Sequence, residues 1–319
     1  MAPKPPRTVP GPEPAVRPPH RGRILIGPAG WSYPDWHGIV YPTRRPSGFH
    51  QATYLAQFFD TIEINTSFYN PLRPDHAAHW VECVSANPRF RFTAKLWQKF
   101  THEEGATPAD EAAVRAGFDI LQREGRLGAV LLQFPFSFHD TPQNRARVAQ
   151  LLEAFGSYPL VVEVRHSSWA HPEFYEFLHE RGAGICNIDQ PLIGRSIKPD
   201  ERATSRLGYV RLHGRRADTW FSDDPDLPRH ERYNYLYSER ELEPWARRVR
   251  LLSERTATTF VITNNHFEGK GVVNALQLIS MLSGNKVKVP ETLRHRYPQL
   301  ESIADAPSQE PTLFPLPPP

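Results

Sequence analysis

Hydrophobic residues recur along this chain in short runs, and most of the intervening segments carry helix signals. Eight runs have the length of a strand: ILIGPAG from residue 24, TIEINTSF from 61, RFRFTAKLW from 89, GAVLLQF from 128, LVVEVRH from 160, GAGICNID from 182, GYVRLHG from 208 and TFVITNN from 259. Eight strand–helix units over about 260 residues predict an α/β fold, a single (β/α)8 TIM-type barrel.

The segments between the runs contain recognisable helix starts. Thr107 and Thr141 each stand immediately before a proline, which is typical of an N-cap followed by the first helical residue. Ser238 and Glu241 have the spacing of a capping box. A doubly wound sheet is the alternative, but GPAG at 27–30 lacks the spacing of a dinucleotide-binding glycine loop. A closed barrel is therefore favoured.

A barrel fixes the direction of alternate side chains. Ile62 and Ile64 should pack against helices, so Glu63 and Asn65 should point inward. The same alternation predicts a polar interior near the carboxyl ends of the other strands, made of Thr93, Lys95, Gln133, Glu163, Arg165, Asp189, Arg211, His213 and either Asn264 or Asn265. A packed barrel interior normally uses Val, Ile and Leu, so these charges indicate a ligand site. The alternative is a self-paired ion network.

Both ends of the chain are proline-rich, and we expect a barrel domain over residues 23–290 between disordered tails at 1–22 and 291–319. Residues 1–23 carry a balance of +4 while the whole chain is +3, so the body is −1. The basic arm could contact nucleic-acid phosphates weakly. QEPTLF at 309–314 loosely resembles peptides that bind the bacterial sliding clamp, with Thr312 where an aliphatic residue is preferred.

Cysteine content and hydropathy limit the class of protein. Cys83 and Cys186 are too few and too far apart in sequence for a disulfide scaffold or a zinc cluster. No apolar stretch reaches the length of a membrane span. We therefore expect a cytoplasmic protein with no membrane partner, no cofactor and no metal ligands, with a divalent metal as the less favoured alternative.

Aromatic residues follow the predicted strands and should surround the polar interior. The tryptophans among them are Trp31, Trp36, Trp97, Trp169 and Trp220. Together with Tyr69, they could stack on a sugar or a nucleobase. The alternative is that these rings cap the barrel and bury one another.

Seven motifs are spread over about residues 24–285: IGPAGWSYPDWHGIVYP, TIEINTSFY, RFTAKLW, LLQFP, VVEVRHSSW, VRLHGR and TNNH. Together they resemble the YecE-like family, catalogued as domain of unknown function 72. The resemblance implies a TIM-barrel-like fold and no established activity. The family positions it implies here are Trp31, Asp35, Trp36, Glu63, Asn65, Phe68, Tyr69, Lys95, Gln133, Glu163, Arg165, Trp169, Arg211, His213 and Asn264.

The leading functional hypothesis is an enzyme that performs acid/base, hydrolase-type chemistry on a small or exposed phosphate-bearing anion. Lys95, Arg165 and Arg211 would clamp the anion. Glu163 or Glu63 would be the general base and His213 the second proton carrier. The remaining ligand-binding positions would be Asn65, Gln133, Asn264, Asp189, Tyr69, Trp31, Trp36 and Trp169.

Three alternatives remain open from the sequence. The first is a non-catalytic module that binds a nucleotide, a sugar or nucleic acid. The second is a glycosidase-like barrel with Glu63 and Glu163 as paired carboxylates. The third is a metal-dependent phosphodiesterase with Glu63, Glu163, Asp189 and His213 as metal ligands.

Overall fold

Eight parallel strands form the barrel in this computed structural model, which describes residues 22–220, 224 and 227–305. They are β1 (Arg23–Pro28), β2 (Thr61–Ile64), β3 (Arg91–Lys95), β4 (Leu127–Gln133), β5 (Leu160–Glu163), β6 (Gly184–Asp189), β7 (Leu207–Leu212) and β8 (Thr258–Thr263). Consecutive strands are hydrogen-bonded neighbours from β2 to β8, and β8 also pairs with β1. The predicted (β/α)8 barrel is confirmed.

A narrow seam between β1 and β2 completes the ring. Ala29 and Glu63 form a single parallel bridge there, and the Gly30 amide donates to the Glu63 carbonyl at 2.8 Å. Gly27 lies against β2 so closely that a Cβ would come within 1.8 Å of the Thr61 carbonyl oxygen. Glycine is therefore required at this position for the two strands to approach.

Helices cover the outside of the ring. They are α1 (Gln51–Leu55), α2 (Pro74–Cys83), α3 (Gln98–Thr101), α4 (Pro108–Arg123), α5 (Pro142–Ala154), α6 (Pro172–Glu180), α7 (Ala217–Trp220), α8 (Glu239–Ser253), α9 (Lys270–Ser283) and α10 (Glu291–Arg296). The predicted starts of α4, α5 and α8 are confirmed, with Thr107 and Thr141 as side-chain caps and Ser238 in a capping box. No helix within the described ranges is long and apolar enough to cross a bilayer.

The folded chain continues past residue 290, where the sequence placed the start of a tail. Helix α10 and a 3-10 turn at Pro298–Ser302 follow that point, and Leu293 and Leu300 are fully buried. The Tyr297 hydroxyl donates to the Glu268 carbonyl at 2.8 Å. The predicted boundary is therefore too early. Among the polar residues after position 290, apolar residues recur at a helical spacing, and these residues pack against the barrel. Residues 1–21 and 306–319, including the arm and the 309–314 peptide, lie outside the described residues.

Replacing Leu293 with Ala should test whether α10 is part of the folding unit. Leu293 is fully buried, so the cavity left behind should lower the free energy of unfolding by about 2–5 kcal/mol. Leu251→Ala on α8 is the matched control, because Leu251 is 47% exposed and its loss should change stability by less than about 0.5 kcal/mol. Urea denaturation measures both variants, and equal small effects would show that α10 is not part of the cooperative fold.

Candidate functional site

One arginine holds two carboxylates across the carboxyl-terminal part of the barrel. Arg211 on β7 donates from Nη2 to Glu63 Oε1 at 2.7 Å and from Nη1 to Glu163 Oε2 at 2.6 Å. All three side chains are fully buried. Charge-assisted bonds of this length are strong, and they are needed to offset the cost of removing the charges from water.

Further groups from the neighbouring strands complete this arrangement. Arg165 donates to Glu163 Oε1 from Nε at 3.0 Å and from Nη2 at 2.8 Å. Gln133 accepts from Arg211 Nη1 at 3.0 Å, and the Tyr209 hydroxyl donates to Glu63 Oε2 at 3.0 Å. We call Glu63, Lys95, Glu163, Arg165 and Arg211 the ion network.

Lys95 is one of two members of the ion network that keep solvent exposure, with 11% of its side chain exposed against 15% for Arg165. Lys95 Nζ lies 3.7 Å from Glu63 Oε1. No hydrogen bond from Nζ is present within the described part of the chain, although the ammonium lies 5.5 Å from the centre of the Phe68 ring. Burial, followed by the nearby Arg211, lowers the pKa of Lys95 to about 8, with Glu63 opposing the shift.

His213 and Glu163 are close but poorly suited to carry protons at neutral pH. His213 Nε2 lies 3.3 Å from Glu163 Oε1 without the alignment of a hydrogen bond, and Asn264 Nδ2 lies 3.0 Å from His213 Nδ1. Burial lowers the pKa of His213 to about 3 despite the neighbouring carboxylate. Burial alone would raise the pKa of Glu163, but Arg211 and Arg165 hold it well below its ordinary value. The ring is therefore neutral and the carboxylate ionised.

A cavity of about 490 Å³ opens above the ion network. Lys95, Asn65 and Asn264 supply polar lining groups, and Trp31 and Tyr69 are among its aromatic ones. Glu63, Glu163 and His213 are fully buried and do not line it, so their catalytic roles stay predictions. A larger hollow of about 680 Å³ lies beside the start of β1 at the opposite end of the barrel, away from these groups.

Two buried polar atoms at this cavity lack a hydrogen-bond partner within the described chain. They are Asn65 Oδ1 and His266 Nδ1. The Asn65 amide donates to the Tyr33 hydroxyl at 3.0 Å, and the Tyr33 ring stacks on His266 with centroids 4.3 Å apart. Burial lowers the pKa of His266 to about 4, to which Lys95 adds. An acceptor oxygen and a neutral imidazole with unused hydrogen-bonding capacity are therefore buried in the cavity wall.

Asp189 lies outside this group, contrary to the predicted alternation. Cys186 Sγ lies 3.9 Å from Glu163 Oε2, so even-numbered residues of β6 face the interior and Asp189 faces the helix layer. Its Oδ2 accepts from Arg215 Nε at 3.0 Å and from Trp245 Nε1 at 3.1 Å. Two donors outside the barrel therefore compensate a carboxylate that the sequence pattern assigned to the interior.

The predicted aromatic rim divides into two kinds of residue. Trp36 and Trp169 are fully buried, and their indole nitrogens donate to the His266 and Phe138 carbonyls at 2.8 and 2.7 Å. They cap the barrel and are closed to a ligand. Trp31 and the exposed Tyr69 line the cavity instead, so the predicted stacking role is open to these two.

The sequence reasoning did not single out several residues that shape the site. Tyr33, His266 and Tyr233 line the cavity. Tyr33 and His266 fall in the WSYPDW and TNNH motifs that follow β1 and β8. Their positions just after strands indicate that they lie near the barrel mouth. Side chains in a loop do not alternate, however, so the sequence does not predict which of them point toward the cavity.

The metal-ligand set predicted for a phosphodiesterase is not assembled. Glu63 and Glu163 are bonded to Arg211, and Asp189 lies in the helix layer with Arg215. Cations adjacent to these carboxylates oppose the binding of a metal ion. The two glutamates proposed for a glycosidase are likewise both engaged by one guanidinium.

Comparisons with known proteins agree with the fold. The family model described as "Protein of unknown function DUF72" matches residues 25–299. UPF0759 protein YunF of Bacillus subtilis strain 168 is 30% identical over 272 residues, covering 81% of this chain and 94% of that protein. A DUF72 family protein of Thermotoga maritima superposes with a TM-score of 0.71 at 32% identity, covering 82% of this chain and 99% of that one. One from Enterococcus faecalis V583, at 24% identity, covers 82% of this chain and 95% of that one with a TM-score of 0.71.

Replacing Arg211 with Met should show how much the ion network contributes to stability. The change leaves two carboxylates without their shared, fully buried partner, which should lower the free energy of unfolding by about 3–5 kcal/mol. Arg73→Met is the control, because its pair with Asp75 is 68% and 59% exposed and solvent screens it, so the change should leave stability nearly unaltered. Chemical denaturation at pH 7 measures both, and equal effects would contradict a dominant role for Arg211.

His213 should make stability depend on pH. Its pKa is lowered from 6.5 to about 3, so between these values the unfolded chain binds a proton that the folded chain does not. Stability should therefore fall as pH falls through this window, by up to about 1.4 kcal/mol per pH unit from this residue. In His213→Gln that part of the slope should disappear when unfolding is measured from pH 7 to pH 5. An unchanged slope would mean that the folded protein protonates His213.

Proposed function

The chain belongs to the DUF72 family, and from this premise we propose that it is an enzyme acting on a small anionic, phosphate-bearing ligand at the barrel mouth by acid/base, hydrolase-type chemistry. The observation that carries the proposal is the charge balance of the ion network. Three cations face two carboxylates, which leaves one net positive charge. Lys95, which lines the cavity, is placed to present that charge to a ligand.

The shape and lining of the cavity support a ligand of sugar-phosphate or nucleotide size. Its volume of about 490 Å³ is within the range of small-molecule sites. Trp31 and Tyr69 offer faces for a ring, and Asn65 Oδ1 and His266 Nδ1 have unused hydrogen-bonding capacity. An anionic group near Lys95 would pair with its ammonium group. Hydroxyl groups on the ligand would satisfy the two polar atoms once a side-chain movement opens them to the cavity.

Lys95 is also the group best suited to exchange protons with such a ligand. A pKa of about 8 leaves a small neutral fraction near pH 7, and a desolvated lysine of this kind can act as a general base or as a nucleophile. Glu163 would support Lys95 indirectly, through Arg211 and Glu63, and His213 would orient Asn264 at the cavity wall. This assignment moves the acid/base role from the buried pair predicted from the sequence to the residue that reaches the cavity.

Lys95→Met should abolish anion binding. We expect sugar phosphates or nucleotides to raise the melting temperature of the wild-type protein, and their dephosphorylated forms to have a smaller effect. In Lys95→Met the extra shift produced by the phosphate group should vanish, so that the phosphorylated and dephosphorylated forms have the same small effect. Lys99→Met is the matched control, because Lys99 pairs with Asp110 at 3.0 Å and does not line the cavity.

The affinity for the same ligands should also depend on pH. The ammonium loses its proton above pH 8, so calorimetric affinity should weaken there by up to about tenfold per pH unit. Binding without release of phosphate or another product would favour the non-catalytic module. Equal binding to Lys95→Met and to wild type would refute the proposal.

A further inference from the structure

A second group of chemically distinctive side chains lies on the outside of the barrel mouth. His79 and Cys83 are four residues apart on α2 and therefore lie on one face of that helix. His50 caps the start of α1 and meets them from the preceding element. The nitrogen or sulfur atoms of the three residues all lie within 4.8 Å of one another.

The spacing matches a four-coordinate ion. Zinc–nitrogen bonds of about 2.0–2.1 Å and zinc–sulfur bonds of about 2.3 Å at tetrahedral angles separate the two donor atoms by roughly 3.6 Å. The separation of His79 Nε2 and Cys83 Sγ is 3.6 Å. The His50 ring stands edge-on to that of His79, with centroids 5.1 Å apart. A small movement of His50, of no more than roughly 1.5 Å, would bring its nitrogen to the distance that such an ion requires.

We propose that His50, His79 and Cys83 bind a divalent transition-metal ion of the zinc class. Two imidazoles and one thiolate are borderline-to-soft ligands, which favour zinc or cobalt over magnesium and calcium. Three protein ligands leave the fourth position of a tetrahedral ion for water or another ligand. His50 and Trp80 also line the cavity, so the ion would lie at its wall.

Two nearby interactions bear on metal binding, one that favours it and one that opposes it. Glu82 Oε2 lies 3.9 Å from His79 Nδ1, beyond hydrogen-bond distance, so its carboxylate favours a metal ion on His79 through its charge alone. His50 Nδ1 accepts a 3.2 Å hydrogen bond from the Ala52 amide, and this cap would be lost whichever nitrogen binds the ion. Because α1 has only five residues, the loss of its cap would disturb only a short segment.

Metal binding would release a proton from Cys83. Burial raises the pKa of this thiol, with Thr53 opposing the shift, so the free side chain is protonated at neutral pH. The S–H bond breaks as the S–metal bond forms, the proton leaves to solvent, and no electron is transferred. The proposal goes beyond the anionic ligand described above, because it requires neither Lys95 nor that ligand.

A cobalt(II) titration of the full chain would test the site. Protein without a histidine tag is stripped of metal with a chelator and titrated with cobalt while absorbance is recorded. We expect one equivalent to produce a thiolate-to-cobalt band in the near ultraviolet with strong visible bands of a tetrahedral ion, and zinc to displace both. Cys83→Ser should lose the near-ultraviolet band, and His79→Gln should bind cobalt more weakly by more than the roughly 10- to 100-fold associated with outer-shell changes.

Two control variants separate the site from other histidines and thiols. His76→Gln alters an exposed histidine of the same helix, and Cys186→Ala removes the buried thiol inside the barrel; both should keep the cobalt bands. Circular dichroism verifies that each variant is folded. No near-ultraviolet band in the wild-type protein, or a band that survives Cys83→Ser, would overturn the proposal. So would equal loss in His76→Gln, which would identify nonspecific surface binding.

Discussion

The bond pattern of Arg211 is the constraint on which the barrel interior depends. Its guanidinium reaches Glu63 on one side of the ring and Glu163 on another, so one side chain joins β7 to β2 and β5. An apolar layer would fill the same space with less desolvation cost. The charged layer instead fixes the directions of five polar side chains, because each must find its partner for the whole to be stable.

This internal pairing also determines what the mouth of the barrel can offer. Most of the charge in the ion network is neutralised within it, and burial keeps both His213 and His266 neutral. The cavity is therefore polar and aromatic, with Lys95 as its charged contribution from the network. Under the proposed function, a ligand would meet a single strong ionic contact and several directional neutral ones there.

Strand alternation predicted most of the interior and failed where its assumptions failed. The inward direction of Glu63, Lys95 and Arg211 followed from a period of two and apolar neighbours, and the structure brings these residues together. Asp189 is in the wrong place because Arg215 and Trp245 donate to its carboxylate in the helix layer, so a polar residue of β6 need not face the interior. Residues in loops, such as His266, have no period from which a direction can be inferred.

The hydrophobic pattern of the sequence does not predict contacts between separate helices and strands. Cysteine spacing relates Cys83 only to Cys186, the other cysteine of the chain, whereas its neighbours in the structure are His79, one helical turn away, and His50 from another element. The proline-rich sequence after helix α10 predicts a tail there. The burial of α10 depends on a surface formed by the barrel, which composition does not describe.

The seam between β1 and β2 gives Glu63 two separate duties. Its carbonyl accepts the Gly30 amide that closes the ring, while its carboxylate holds Arg211. Any residue at position 63 would keep the carbonyl, but only a carboxylate there pairs with Arg211. The strand that closes the barrel therefore carries a buried charge, and a neutral residue at position 63 would leave part of the Arg211 charge uncompensated next to the seam.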